Sequence, residues 1–503
     1  MKYLNPLKWL LLLIPQQAYA ADAAIDAFFN AINGFLAQII FFDVFPGTAE
    51  MPFIVAWLII AAVFLTLRFN FVNMRMMRHA YRVIRGKYRT ADDLGEVTSF
   101  QALSTALSAT VGLGNIAGVA IAISIGGPGA TFWMIVAGFL GMTTKFTEAS
   151  LAQMYREVRS DGKLMGGAME YLSRGLAEHG APRTGKTLAI MFAIFTILGS
   201  FGAGSAFQVS QSMGAVQEQI AFFRETPIAY GLLMAVAVGL VIIGGLRRIA
   251  HVAEAVVPSM VVIYICACLW IIIGDAALVP EALGKIFTEA FSPIAVAGGM
   301  VGALVQGFKR AAFSSEAGLG SAAIAHAAAA VKYPVRQGLV ALYEPFIDTV
   351  VICTMTALVI VITGVYEAPE YAAIREASQG ARLTSIAFAT VSDWFPMILT
   401  LSVVLFAYST AISWSYYGER CWVYVFGERY SILYKAIFIG FVIVASIASA
   451  SSLLDFTDLL VLAMAFPNLI GLYLLSGKVK TALGEYRSKL ASGELDREAG
   501  ISN

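Results

Sequence analysis

Long apolar stretches recur along the chain, separated by short polar or charged segments. Phe53 to Leu67, Leu188 to Leu198 and Val256 to Ile273 each sit inside a mainly apolar run. Such runs suit the roughly 20 helical residues that cross a hydrocarbon core. They are too long for barrel strands, and in lipid only helices or closed barrels pair every backbone group. The pattern predicts an all-α polytopic membrane protein of about eleven transmembrane helices. The expected spans lie near 52–68, 97–124, 128–152, 187–214, 227–245, 252–274, 293–322, 337–363, 385–417, 433–450 and 456–476. Ahead of them, Lys2 and Lys8, the apolar Trp9 to Ile14, Pro15 and Ala18-Tyr19-Ala20 have the order of a signal peptide over residues 1–20. An uncleaved interfacial segment is the other reading. Within a periplasmic segment 21–50, residues 22–45 alternate at helical spacing and suit an amphipathic helix at the surface, ended by Pro46-Gly47.

Composition agrees. The 503 residues are 59% hydrophobic and 13% charged, about half the charge of a soluble domain. The net charge of +1 is uninformative; its distribution is not. Twenty-seven Lys and Arg fall on one side of the expected spans and four on the other. The positive-inside bias then puts the N-terminus outside and the C-terminus in the cytoplasm, with an odd number of spans between. With the signal, this places the protein in a bacterial inner (plasma) membrane. The chain divides into a leading helix and basic loop (51–90), two five-helix halves (91–275 and 276–477) and a cytoplasmic tail (478–503). The halves start on opposite sides, as an inverted repeat requires. Each opens with a Gly-interrupted span, Gly112-Leu113-Gly114 in one and Gly298-Gly299 with Gly302 in the other.

The richest segment for chemistry is Thr110 to Gly118, with three glycines and Asn115 inside an apolar span. Glycine destabilises helix interiors, so the helix is expected to break there. A break frees N–H groups and carbonyls that no water can reach, and a bound carboxylate and a bound cation would pair with them. Close packing through small residues is the competing explanation. In the ninth span Phe406, Ser409 and Thr410 share one helix face, with Trp414 one turn further. A carbonyl and two hydroxyls make an uncharged oxygen cage for a monovalent ion, unless each hydroxyl bonds its own helix. Glu148, Glu254, Glu316, Asp348 and Asp393 fall in or near spans, where ionisable groups are costly and so are functional candidates. Lys145 and Glu148, one turn apart, can neutralise each other, and Glu254 can pair with Arg247 and Arg248. Glu316, inside Phe313 to Ser321, is the preferred gating or structural charge.

Enzyme chemistry is not indicated. The four histidines are scattered, the four cysteines read as small core hydrophobes, and there is no Walker-type phosphate loop. The basic segment 68–89 is a topology determinant able to touch anionic lipid, not a nucleic-acid site. No obligatory protein partner is evident.

Four stretches resemble one family, the alanine/glycine:cation (sodium:alanine) symporters. They are Ala109 to Ala120, Gly126 to Met134 with Lys145 to Glu148, Phe313 to Ser321 with its continuation to Thr349, and Leu405 to Glu419. The resemblance implies a LeuT-type five-plus-five inverted repeat preceded by one extra helix, and sodium-driven import of a small neutral amino acid such as alanine or glycine. It implies that Gly112, Gly114 and Asn115 receive the substrate carboxylate, with Gln208, Gly298, Thr410 and Trp414 lining the pocket. It implies that the carbonyls of Thr110, Val111 and Phe406 and the hydroxyls of Ser409 and Thr410 hold Na+ as the coupling ion. Around Gln208 the chain reads Gly204-Ser205-Ala206-Phe207-Gln208-Val209-Ser210-Gln211, where the family commonly has G-N-x-x-Q-[AS]-N-S; smaller hydroxyls there bear on which amino acid fits. A proton-coupled carrier of the same fold and a non-transporting sensor or channel are the alternatives.

Overall fold

The computed structural model describes residues 42–43, 51–90, 92–159, 164–292, 299–392, 394–448 and 450–501. The expected signal peptide, nearly all of the amphipathic segment, Asp393 and Gly298 lie outside the described residues. The described chain is mostly helical.

Helix α1 (Phe53–Arg68) leads into a basic surface segment. The next apolar stretch is two helices. α2 (Ser99–Thr110) starts on a reciprocal capping box: the Gln101 amide donates to Thr98 Oγ1 at 3.1 Å and the Thr98 amide to Gln101 Oε1 at 3.0 Å. It ends at Thr110, and after a π turn (Gly114–Gly118) the chain resumes as α3 (Val119–Gly126), bent by 51°. Then come α4 (Gly129–Met154), a two-residue hairpin pairing Glu157–Val158 with Leu164–Met165, and α5 (Pro182–Gln219), which carries a π turn at Ser200–Ala206. α6 (Pro227–Ile242), α7 (Gly245–Gly274) and α8 (Val279–Ala290) complete the first part. α9 (Gly299–Ser315) is followed by the second interruption and the short α10 (Ala323–Ala327). α11 (Pro334–Thr363), α12 (Gly380–Ala389), α13 (Phe395–Phe426), α14 (Ser431–Val444) and α15 (Ala450–Ala491) follow. Among the described residues, five helices (α5, α7, α11, α13 and α15) are long and apolar enough to cross a membrane, or six spans with the bent pair α2/α3.

The broken helix is innermost: every residue from 102 to 123 is buried. α4, α7, α9, α11, α12 and α13 pack around it, and small residues permit close approach among these helices. A Cβ on Gly338 of α11 would lie 2.0 Å from Ser150 Oγ on α4. The outer helices present apolar side chains outward, among them Leu233, Val236 and Leu240 on α6, Trp270 and Ile273 on α7, and Ile432 on α14. Such a shell fits hydrocarbon and not water.

Several expectations need correction. A break falls at residues 316–322, while Gly299 begins α9 and Gly302 lies inside it. At that break Glu316, Gly318 and Gly320 take φ of +54°, +94° and +81°, and Gly299 at the start of α9 takes +66°. The expected span 385–417 is two helices, α12 and α13. α15 continues through residue 477 to Ala491, so the tail starts as helix. Arg310, counted among the cytoplasmic charges, is 2% exposed within α9 and pairs with Asp458 of α15. Lys145 pairs with Glu344 of α11 at 3.2 Å, and Glu254 accepts from Gln101 Nε2 at 3.0 Å in place of the expected arginine pairs. Cys266 is exposed, although the other three cysteines are buried.

One edge joins both broken helices. Val97, just before α2, bridges in parallel with Ala329, just after α10. The Glu96 amide donates to the Ala328 carbonyl at 2.9 Å and the Ala330 amide to the Val97 carbonyl at 2.8 Å. A Cβ on Gly95 would lie 2.3 Å from the Ala330 nitrogen. Gly95→Val should therefore lower stability by about 1–3 kcal/mol, read as a lower thermal midpoint of the purified protein. Nearby, the tail docks by Tyr486 on His79 (2.9 Å) and Tyr88 on Asp496 (3.0 Å). Burial first, then Arg82 and Arg336, hold His79 down to about 4. The folded site keeps His79 neutral while the unfolded chain protonates near 6.5, so this contribution is full above pH 6.5 and lost as pH falls toward 4. Protection factors of residues 478–501, with the intrinsic pH dependence of exchange divided out, should fall over that window in wild type and fall less in His79→Gln.

Candidate binding site

The first break builds the site. Val111 at φ −74°, ψ 80° forms an inverse γ-turn in which the Gly112 amide donates to the Thr110 carbonyl at 2.8 Å. That turn ends α2 and rotates the next amides away from the helix axis. Two side chains meet them: Asn115 Oδ1 accepts from the Gly112 amide and Gln208 Oε1 from the Leu113 amide, both at 3.0 Å. Gln208 Nε2 donates to the Ala203 carbonyl in the π turn of α5 at 2.9 Å. Gln208 is thus a strap between two irregular backbones. Among the described residues, the Gly114 amide has no acceptor and the Val111 carbonyl no donor. Both residues are buried. An N–H and a C=O left unpaired away from water are costly, and they sit three residues apart in one turn.

Asn115 also reaches away from the break. Its amide is committed within the protein: Nδ2 donates to Asp348 Oδ1 at 2.5 Å, the Asp348 carbonyl at 3.0 Å and Ser314 Oγ at 3.2 Å. Asp348, in the π turn of α11, also accepts from Ser314 at 2.6 Å and Thr349 at 2.7 Å. Asn115 therefore shapes the break and anchors it to α9 and α11. Its own carbonyl accepts from Thr356 Oγ1 at 2.8 Å.

The hydroxyl pair of α13 lies against the last turn of α2. Thr410 Oγ1 donates to the Ser108 carbonyl at 3.0 Å, and Ser108 Oγ donates to the Ser409 carbonyl at 2.7 Å. Ser409 Oγ donates to the Phe406 carbonyl at 3.1 Å. A Cβ on Gly112 would lie 2.4 Å from Thr410 Oγ1, so only glycine lets the break meet this helix. Thr110, Val111, Phe406, Ser409 and Thr410 are thus brought to one interface. Thr110 Oγ1 bonds back to the Ala106 carbonyl at 3.2 Å, leaving its backbone as the group that could take part. Ser108 was missed; a serine two residues before a predicted break was the available signal. Among the described residues no group of three His, Cys, Asp or Glu could hold a metal, and the oxygens gathered at this interface are carbonyls and hydroxyls. Those suit a hard monovalent ion. Trp414 is buried against the π turn of α5, where a Cβ on Gly204 would lie 2.3 Å from its Cβ. Phe313 covers Gly114 from the other side and meets the ring of Phe207 at 5.0 Å.

The second break carries its own anion. Glu148 Oε1 of α4 accepts from the amides of Gly318 and Gly320 at 3.0 Å each and from Asn468 Nδ2 at 2.7 Å. Asn468 also donates to the Gly318 carbonyl at 2.8 Å and accepts from Tyr171. Glu316 accepts from Ser321 inside the same turn. Glu344, which pairs with Lys145, also meets His326. Glu148 thus fills the role in the second break that remains open in the first. Asn468, a lone amide in an apolar helix, was a readable signal that went unused.

A family model described as the sodium:alanine symporter family matches residues 37–499. A protein of Methanococcus maripaludis named sodium/alanine symporter AgcS is 41% identical over 85% of this chain and 92% of its own length. A protein of Bacillus subtilis named probable sodium/glutamine symporter GlnT is 32% identical over 86% of this chain and 87% of its own. The crystal structure of MhsT in complex with L-phenylalanine shares the fold, with a TM-score of 0.52 at 14% identity, covering 76% of this chain and 98% of that one.

Gln208→Leu should leave the Leu113 N–H and the Ala203 carbonyl unpaired, at about 1–3 kcal/mol for each. Gln208→Glu keeps the acceptor and should retain most of the Leu113 bond. The thermal midpoints of the two purified variants check this order.

Proposed function

The chain belongs to the sodium:alanine symporter family, and from that premise we propose that it imports a small neutral amino acid, such as alanine or glycine, coupled to Na+. Its relatives are transporters and not enzymes. The observation that carries the reading is the pair of unpaired groups in the first break. The Gly114 N–H offers a donor for a substrate carboxylate, and the Val111 carbonyl offers a ligand for a cation.

In this reading Na+ from outside enters between α2 and α13, where the Thr110, Val111 and Phe406 carbonyls and the Ser409 and Thr410 hydroxyls supply oxygen. The ion replaces the Thr410-to-Ser108 bond and orders the break. The substrate carboxylate then docks at Gly112 to Gly114, with the Gln208 strap and Trp414 bounding the pocket. The substrate side chain meets Phe313 and Phe207. Rocking of the helices that carry the two breaks against their neighbours exposes the site to the cytoplasm. Inward movement of one charge gains about 2.3 kcal/mol per 100 mV. Eleven spans, with one leading helix and two inverted halves, suit this cycle, since a break opens each half. The inner-membrane location and outside N-terminus follow from the charge bias.

A second reading is favoured by the buried group of Lys145, Glu148, Glu316, His326 and Glu344 beside the second break. There the coupling ion is a proton and Glu316 is its carrier. Uptake into proteoliposomes separates the two. Sodium coupling predicts concentrative uptake under a sodium gradient alone, with Ser409→Ala/Thr410→Ala raising the half-saturating sodium concentration at least tenfold. A proton carrier predicts uptake under a pH gradient alone, lost in Glu316→Gln and nearly unchanged in the hydroxyl double variant. Saturable binding without accumulation under either gradient would indicate a sensor or channel.

A further inference from the structure

Away from the transport site, a cavity of about 300 Å³ opens beside the N-terminus of α2. It lies between the basic segment after α1, the first turn of α2 and the start of α11. Arg85, Arg89 and Arg336 line it with Asp93 as the acidic neighbour. Asp93 is committed elsewhere: Oδ1 accepts from the Lys332 amide at 2.8 Å and pairs with Arg336 at 3.2 Å, and Oδ2 accepts from the Thr90 amide at 2.9 Å. Arg336 is 3% exposed. Its Nη1 donates to the Tyr88 carbonyl at 2.7 Å, but its Nε is buried without a partner. Arg85 and Arg89 are exposed and form no ion pair with a described residue.

The end of α2 adds a second donor set. The capping box uses the Thr98 and Gln101 amides, which leaves the amides of Ser99 and Phe100 without protein acceptors among the described residues. Both residues line the cavity. A helix N-terminus carries partial positive charge and points N–H groups at an anion. Three guanidinium groups against one committed carboxylate leave a positive excess. Guanidinium forks match the tetrahedral oxygens of a phosphoryl group. The remaining wall, Val83, Ile84 and Val331, is apolar.

We propose that this cavity binds a phosphoryl group, presented by an anionic phospholipid or as free phosphate. Arg85 and Arg89 hold it from the basic segment and the Ser99 and Phe100 amides from α2, with the Arg336 guanidinium adding positive charge from α11. One anion then joins the lower half of the broken helix to two elements that do not belong to it. Binding stands independently of the transport reading.

Thermal unfolding of the purified full chain tests it, with phosphatidylglycerol, diacylglycerol or inorganic phosphate titrated in, on wild type and on Arg85→Gln/Arg89→Gln. The two substituted side chains are exposed, so the variant should elute as wild type in gel filtration. The expected result is a saturable rise in midpoint with phosphatidylglycerol and none with diacylglycerol, and at least tenfold weaker apparent affinity in the variant. The same rise with inorganic phosphate supports the site and assigns it to the free anion. No saturable rise with either phosphate source overturns the proposal, as does an equal response in wild type and variant. Neither result depends on whether the chain carries amino acids.

Discussion

The whole molecule turns on one constraint: a backbone N–H or carbonyl that leaves a helix inside a membrane must find a partner that is not water. Among the described residues the chain leaves its helix in this way at residues 111–118 and at 316–322. At the second place a side chain supplies the partner, because Glu148 Oε1 takes the Gly318 and Gly320 amides. At the first place side chains supply only part of the answer. Asn115 and Gln208 take two amides, while the Gly114 N–H and the Val111 carbonyl remain. Two irregular segments of similar make thus diverge in role: one is closed by the protein and the other is suited to a carboxylate and a cation.

That difference explains why neighbouring helices are built as they are. α5 relaxes into a π turn at Ser200–Ala206, which presents the Ala203 carbonyl to Gln208 and makes a groove for Trp414. α11 relaxes at Phe346–Cys353, which places Asp348 against Asn115 and Ser314. π turns in otherwise regular helices often mark functional positions. Here each lies beside the first break and supplies a contact that a regular helix would aim elsewhere. The reciprocal Ser108 bonds to Ser409 and Thr410 then bring a straight helix against the broken one. A cation entering this interface meets oxygens already gathered for another purpose, which lowers the ordering cost of binding.

The edge that joins Val97 to Ala329 connects the far ends of both broken helices. Arg156 reinforces it by donating to the Ala327 carbonyl at 3.1 Å, and Gln153 by donating to the Ala329 carbonyl at 3.1 Å. The two half-helices are therefore tied as one body, as rigid rocking between groups of helices requires. The docked tail and the arginine-lined cavity lie at the same edge, so contacts made there bear on the element that carries the site.

By itself, the sequence determined the class of molecule and the first break. Apolar run length demands helices in lipid, and Gly112, Gly114 and Gly118 within one such run weaken it locally. The Phe406, Ser409 and Thr410 face was equally legible, because helical spacing places those residues together without any tertiary knowledge. Tertiary structure decided what each polar group faces. Lys145 and Glu148 are one turn apart in sequence, yet Lys145 meets Glu344 and Glu148 meets the amides of the second break. Asn115 reads as a pocket residue, yet its amide is consumed by Asp348. Gly299 starts α9 and Gly302 lies inside it, so among the described residues the break of the second half falls at 316–322. At that break the Gly318 and Gly320 amides meet a carboxyl group supplied from α4, Glu148. Periodicity and propensity are local properties and can be read along the chain. The partner of a buried charge is set by which helices touch, and only the folded arrangement holds that information.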